Sequence, residues 1–122
     1  YVQTILVVED SEITRDLVTG ILSNHGYRIL TAEDGQEGWE RLQDHRVDLV
    51  VTDIQMPRMS GLELLQQIRS TPSTEDLPVV ILTTLGDPSD KARAMDMGAD
   101  GYLVKLDFEE KDLLGMVQRY LG

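Results

Sequence analysis

The chain has no cysteine and, in 122 residues, only one tryptophan, one phenylalanine and four prolines. Without thiols there is no disulfide framework, no thiolate metal site and no cysteine nucleophile. Long apolar runs are also missing: none exceeds a few residues, against the about 20 that a membrane span needs. No signal-peptide pattern opens the chain. Basic residues are scarce, with 11 Lys and Arg against 22 Asp and Glu, a net charge of −11. That balance argues against direct binding to nucleic acid, which needs a basic footprint. It fits a cytoplasmic protein whose partners are cations or basic surfaces.

The length suits one domain over residues 1–122, large enough to bury about two-thirds of its unfolded surface. Tyr rather than Met at position 1 suggests a piece cut from a longer polypeptide. Along the chain, short apolar runs alternate with longer amphipathic stretches. The runs are Ile5–Val8, Arg28–Thr31, Leu49–Thr52, Val79–Leu82 and Tyr102–Val104. Four are continuously apolar, as strands buried on both faces should be, and the mixed Arg28 run reads as an edge strand.

Five helical patterns follow the strands. Ile13, Leu17, Ile21 and Leu22 share a predicted inward face before a C-cap at Gly26. Trp39 and Leu42 lie inward on a helix opened by Asp34, and Ser60 with Glu63 forms a capping-box pattern. Asp87-Pro88 opens the fourth helix, and Asp107 is the expected cap of the fifth, whose face carries Leu113, Leu114, Val117 and Leu121. Regular βα alternation predicts a single doubly wound α/β fold, a five-stranded parallel sheet with helices on both faces.

In such a sheet ligands bind beyond the carboxyl ends of the strands. Glu9 and Asp10 follow the first run, Asp53 the third, Thr83 and Thr84 the fourth, and Lys105 the last. Polar residues routinely follow strands, so any one of these is unremarkable alone; the conjunction carries the weight. Three carboxylates brought together repel one another unless a cation intervenes. A hard divalent ion such as Mg²⁺ resolves this with oxygen ligands and keeps open positions for a phosphoryl group. Lys105 and the Thr83 hydroxyl would then meet the remaining phosphoryl oxygens. Asp53, alone after the central strand, is the natural nucleophile.

Three segments resemble the receiver domain of two-component response regulators: Ile5-Leu6-Val7-Val8-Glu9-Asp10, Asp53-Ile54-Gln55-Met56-Pro57-Arg58-Met59-Ser60-Gly61, and Gly98-Ala99-Asp100-Gly101-Tyr102-Leu103-Val104-Lys105. The resemblance covers essentially the whole chain and implies the flavodoxin-like strand order 2-1-3-4-5. It implies that Asp53 accepts a phosphoryl group from a histidine kinase or histidine phosphotransfer domain. Glu9, Asp10, Asp53 and the backbone carbonyl of Gln55 would hold Mg²⁺. Thr83 matches the switch hydroxyl, Lys105 the phosphate-binding lysine, and Tyr102 the aromatic whose rotamer follows Thr83. Small Thr84 would leave room for the phosphoryl group. The implied protein is a phosphoacceptor that assists its own phosphorylation rather than a conventional enzyme. Its output surface would bear Lys91, Met95, Tyr102 and Phe108, and that face is also where a homodimer would form.

The chain departs from the family where Leu106 follows Lys105; most receivers have proline there. A cis bond before a non-proline costs about 2.5–4 kcal/mol, so a trans bond is expected. Lys105-Leu106-Asp107-Phe108 followed by Leu113-Leu114 is similar to receivers attached to chemotaxis-type histidine kinases, which favours a segment of a hybrid kinase, though a free-standing regulator would read almost the same. The alternative function is a degenerate receiver acting as a phosphorylation-independent interaction module. A haloacid-dehalogenase-type phosphatase would need a second acid at position 55, which is Gln. A flavodoxin-like flavin carrier would need a Ser-, Thr- and Gly-rich loop where Glu9-Asp10-Ser11-Glu12 stands. His25 and His45 read as helix-end residues rather than ligands.

Overall fold

Strands and helices alternate in a computed structural model of the chain, which describes residues 2–84, 88–105 and 109–122. The strands are β1 (Thr4–Val8), β2 (Arg28–Ala32), β3 (Leu49–Thr52), β4 (Val79–Thr83) and β5 (Gly101–Val104). The helices are α1 (Glu12–Ser23), α2 (Gly35–Asp44), α3 (Gly61–Ser70), α4 (Pro88–Asp96) and α5 (Glu110–Leu121). All four strand pairings are parallel and the sheet order is β2-β1-β3-β4-β5. This is the expected order, with the mixed second strand at an edge.

Alternation along each strand divides the core in two. Leu6, Val8, Val50 and Ile81 pack with Leu65 and Ile68 of α3 and Ala94 of α4, with Trp39 and Leu42 of α2 against them. On the other face, Ile5, Val7, Val51 and Leu82 meet Val18 and Leu22 of α1 and Leu113 and Val117 of α5. Each fully buried Val, Leu or Ile among them contributes roughly 1.5–3 kcal/mol of transfer free energy. Every residue of β1, β3 and β4 is buried, which is why those runs show no polar alternation.

Two expectations for α1 are corrected. Ile13 and Leu17 are 84% and 55% exposed, while Val18 and Leu22 are buried. At about 100° per residue, a helix that centres Val18 and Leu22 on the sheet turns Ile13 and Leu17 toward solvent. The helix also ends before Gly26, with its C-cap at Asn24; Gly26, at φ 90°, lies in the turn that follows. At α5 the N-cap is Glu109, whose N–H donates to Asp112 Oδ2 at 2.7 Å. Asp87, Leu106, Asp107 and Phe108 lie outside the described residues. The caps at Asp34 and Ser60 are as expected, accepting from Glu37 N–H and Glu63 N–H.

The amino ends of β4 and β5 are tied together by Arg69, at the last turn of α3. Its guanidinium donates to the Gly98 carbonyl at 2.8 and 3.0 Å, to Leu77 and Glu75 carbonyls, and to Asp100 Oδ2 at 2.9 Å. The same Asp100 oxygen accepts from Val79 N–H. Arg69→Met keeps the apolar stem but orphans these acceptors, and should cost about 2–3 kcal/mol. A urea-unfolding midpoint within error of wild type would contradict this.

Candidate functional site

Glu9, Asp53 and Lys105 each sit one step beyond a strand, where the ladder still holds the backbone. Glu9 N–H donates to the Ala32 carbonyl at 3.0 Å, Asp53 N–H to Val8 at 3.1 Å, and Lys105 N–H to Thr83 at 2.7 Å. Lateral bonding of this kind sets which side chains can meet. Glu9, Asp10 and Asp53 each bring a carboxylate oxygen within 4.8 Å of the others. Glu9 and Asp53 are buried and Asp10 is exposed. Lys105 Nζ lies 2.6 Å from Glu9 Oε2 and 3.0 Å from Asp53 Oδ2, its side chain 11% exposed.

The acids are further fixed by backbone donors. Ile54 N–H donates to Asp53 Oδ1 at 2.7 Å, and Ser11 N–H to Glu9 Oε1 at 3.1 Å. Gly61 presses against the other side of Asp53, and its N–H donates to the Ile54 carbonyl at 2.8 Å. A Cβ at Gly61 would run into the Asp53 carbonyl oxygen, so only glycine lets α3 start this close to the site.

The charges do not balance. Burial raises the Glu9 pKa and the Asp53 charge adds to the rise; hydrogen bonds from Lys105 and Ser11 lower it, and the net direction is up. Burial pulls the Lys105 ammonium down, but its hydrogen bonds to Glu9 and Asp53 outweigh that and raise its pKa. Three carboxylates share one ammonium, and at Glu9 the charge of Asp53 adds to the effect of burial. The donor set is all oxygen, clustered and open to solvent at Asp10, so these residues fit a hard divalent cation.

Of the other expected residues, Thr83, Thr84 and Gln55 lie at this end of the sheet, whereas Tyr102 sits within β5 in register with Ile81. Thr83 ends β4 fully buried, and Thr84 beyond it is exposed. Tyr102 on β5 is half-buried against the core, and Gln55 is exposed two residues past Asp53. His25 bonds through Nδ1 to the Ile21 carbonyl, and His45 is the C-cap of α2; neither joins the site.

Two arginines went unnoticed in the sequence. Arg15, on α1, donates to the Glu9 carbonyl at 2.9 Å. Arg58 pairs with Asp34, which follows β2 just as the other site residues follow their strands. The strand-end rule, applied to β2 as well, picks out Asp34.

A model of the response regulator receiver domain family matches residues 5–118. The chain belongs to that family. This receiver domain is 41% identical over 101 residues to the gliding motility regulatory protein of Myxococcus xanthus, spanning 83% of this chain and 13% of that protein. It is 36% identical to response regulator RR06 of Streptococcus pneumoniae, over 95% of this chain and 54% of the relative. The chain thus spans about half, or much less, of the length of these curated relatives. Among solved structures it is similar to the signal receiver domain of a histidine kinase from Syntrophus aciditrophicus (TM-score 0.90, 34% identity, 98% of this chain and 89% of that one). It is equally similar to chemotaxis protein CheY4 of Vibrio cholerae (TM-score 0.90, 34% identity, 98% and 99%).

The Arg58 hydrogen bond is the main cause holding the Asp34 pKa below the ordinary aspartate range, with Glu37 N–H assisting against burial. A depressed folded-state pKa contributes stability above the ordinary value of 3.8, and that contribution is lost as pH falls through the folded value. Asp34→Asn keeps the cap oxygen and loses the charge. It should therefore be less stable than wild type at neutral pH, with the gap closing in acid. A gap in urea midpoints that stayed constant from neutral pH into the acid range would refute this.

Proposed function

We propose that this receiver domain takes a phosphoryl group on Asp53 from a phosphohistidine, and that the charge so added resets the surface of α4, β5 and α5. The observation that carries the reading is the lysine–carboxylate cluster: Lys105 Nζ bridges Glu9 and Asp53, with Asp10 alongside. Glu9, Asp10, Asp53 and the Gln55 carbonyl would hold Mg²⁺, which when bound supplies positive charge to the carboxylates and to the incoming phosphoryl oxygens.

In the transfer, Asp53 Oδ2 attacks phosphorus, an O–P bond forms, and the N–P bond of the donor breaks. The imidazole nitrogen leaves with the electron pair and takes a proton from solvent. Ile54 N–H keeps hold of Oδ1, which leaves Oδ2 as the nucleophilic oxygen. Lys105 moves from Asp53 Oδ2 to a phosphoryl oxygen, exchanging one charge-assisted hydrogen bond for another. The Thr83 hydroxyl takes a second phosphoryl oxygen, and exposed Thr84 leaves the entry open. Positioning and neutralisation do most of the work in such a transfer.

Inward movement of Thr83 would vacate space for Tyr102, so the surface bearing Lys91, Met95 and Tyr102 reports the state of Asp53. In this reading the domain is a phosphoacceptor, its donor a cytoplasmic histidine kinase or phosphotransfer domain, and its target a protein rather than nucleic acid. Among the described residues no helix is long and apolar enough to cross a membrane.

Incubation with acetyl phosphate or phosphoramidate should give one Mg²⁺-dependent phosphoryl adduct by intact mass, absent in Asp53→Asn. No adduct with either donor, together with no binding of beryllofluoride, would sink the reading and favour an interaction-only receiver. Amide shifts on phosphorylation that avoided α4, β5 and α5 would sink its second half.

A further inference from the structure

Between β3 and α3 the chain runs through residues 53–60, and its 54–60 segment follows Asp53 and carries Gln55 into the site. Arg58, in its middle, donates from Nε to Asp34 Oδ2 at 2.8 Å and from a terminal nitrogen to Asp34 Oδ1 at 3.2 Å. Two parallel bonds to one carboxylate set an orientation that a single contact does not. Asp34 is itself held: it is buried, and Oδ1 also accepts from Glu37 N–H at 2.8 Å as the cap of α2. The loop is therefore hooked to a rigid helix end rather than to another loop.

Two further features fall on the same contact. Among the described residues, Arg58 alone of the non-glycine residues has a positive φ, at 66°. A long side chain tolerates the left-handed region only where its surroundings hold it there. Next to it, Gly35 N–H donates to the Met59 carbonyl at 2.9 Å, and a Cβ at Gly35 would strike that oxygen. Asp34 and Gly35 thus grip Arg58 and Met59 by side chain and by backbone. At its far end the loop is closed by Gly61 N–H on the Ile54 carbonyl at 2.8 Å.

The geometry points to Arg58 and Asp34 as positioning residues of the acid site: their bidentate pair presets the 54–60 loop so that the Gln55 carbonyl and Asp53 are ready for a divalent cation before it arrives. The inference rests on the proposed function, since it concerns how well the site is preorganised for Mg²⁺. Neither residue touches the reacting atoms. Groups that orient metal ligands from behind commonly change affinity about 10- to 100-fold when removed. Arg58 is 57% exposed, so a smaller effect, about 3- to 10-fold, is expected here.

The test is Mg²⁺ affinity measured on the folded domain by amide-shift titration. Arg58→Gly removes the guanidinium while keeping a residue at ease at positive φ, and Asp34→Asn keeps the helix cap. Lys111→Gln, which breaks an exposed ion pair with Glu109, serves as the control. Both site variants should bind Mg²⁺ about 3- to 10-fold more weakly than wild type and control, with faster hydrogen exchange over residues 55–60. Phosphorylation from phosphoramidate should slow at low Mg²⁺ and recover at saturating Mg²⁺, the mark of a positioning role. If wild type binds Mg²⁺ and both variants match it within twofold, the inference fails and the proposed function stands, even if loop exchange rises. If wild type binds no Mg²⁺, both fall together.

Discussion

The ammonium of Lys105 lies between two buried carboxylates, and the rest of the site depends on that contact. Glu9 and Asp53 would otherwise face each other, with Asp10 close by, in surroundings that screen charge poorly. One cation for three anions leaves the cluster short of positive charge; burial chiefly, with the Asp53 charge adding to it, holds Glu9 above its ordinary pKa, while Glu9 and Asp53 hold Lys105 charged. A site in that condition favours whatever brings compensating charge. The sheet enforces the arrangement, because Glu9, Asp53 and Lys105 leave β1, β3 and β5 at the same end, each with its backbone N–H bonded to the adjacent strand.

The scaffold serves this edge by being rigid elsewhere. β1, β3 and β4 are buried along their whole length, and Arg69 ties the amino ends of β4 and β5 to α3. Freedom is left at the carboxyl edge, where Asp10, Gln55 and Thr84 are exposed. A domain tight at one end and open at the other suits a small change of charge read out at a distance.

Relatives of the family differ in what surrounds the receiver, and this chain covers 13% of one and 54% of another. What the domain can do chemically is set by its own residues.

The strand-end places of Glu9, Asp10, Asp53, Thr83 and Lys105 are legible in the sequence. Strand ends in a parallel sheet share an edge, so position along the chain is enough to place them together. The buried strands were legible for a similar reason, since β-branched runs of four or five residues have few other uses. The face of α1 was misjudged because its apolar residues, Ile13 and Leu17 among them, circle more of the helix than the sheet can cover. The Asp34–Arg58 clamp was hidden because a loop's course and the reach of a long side chain are decided by packing between segments 24 residues apart. The sequence by itself determined the alternation of elements and the chemistry at the strand ends, because both follow from local pattern and from the geometry of a parallel sheet. Only the tertiary structure decided which charges touch, which helix face is buried and how the loop after Asp53 is held, because each of these depends on distances that no local pattern encodes.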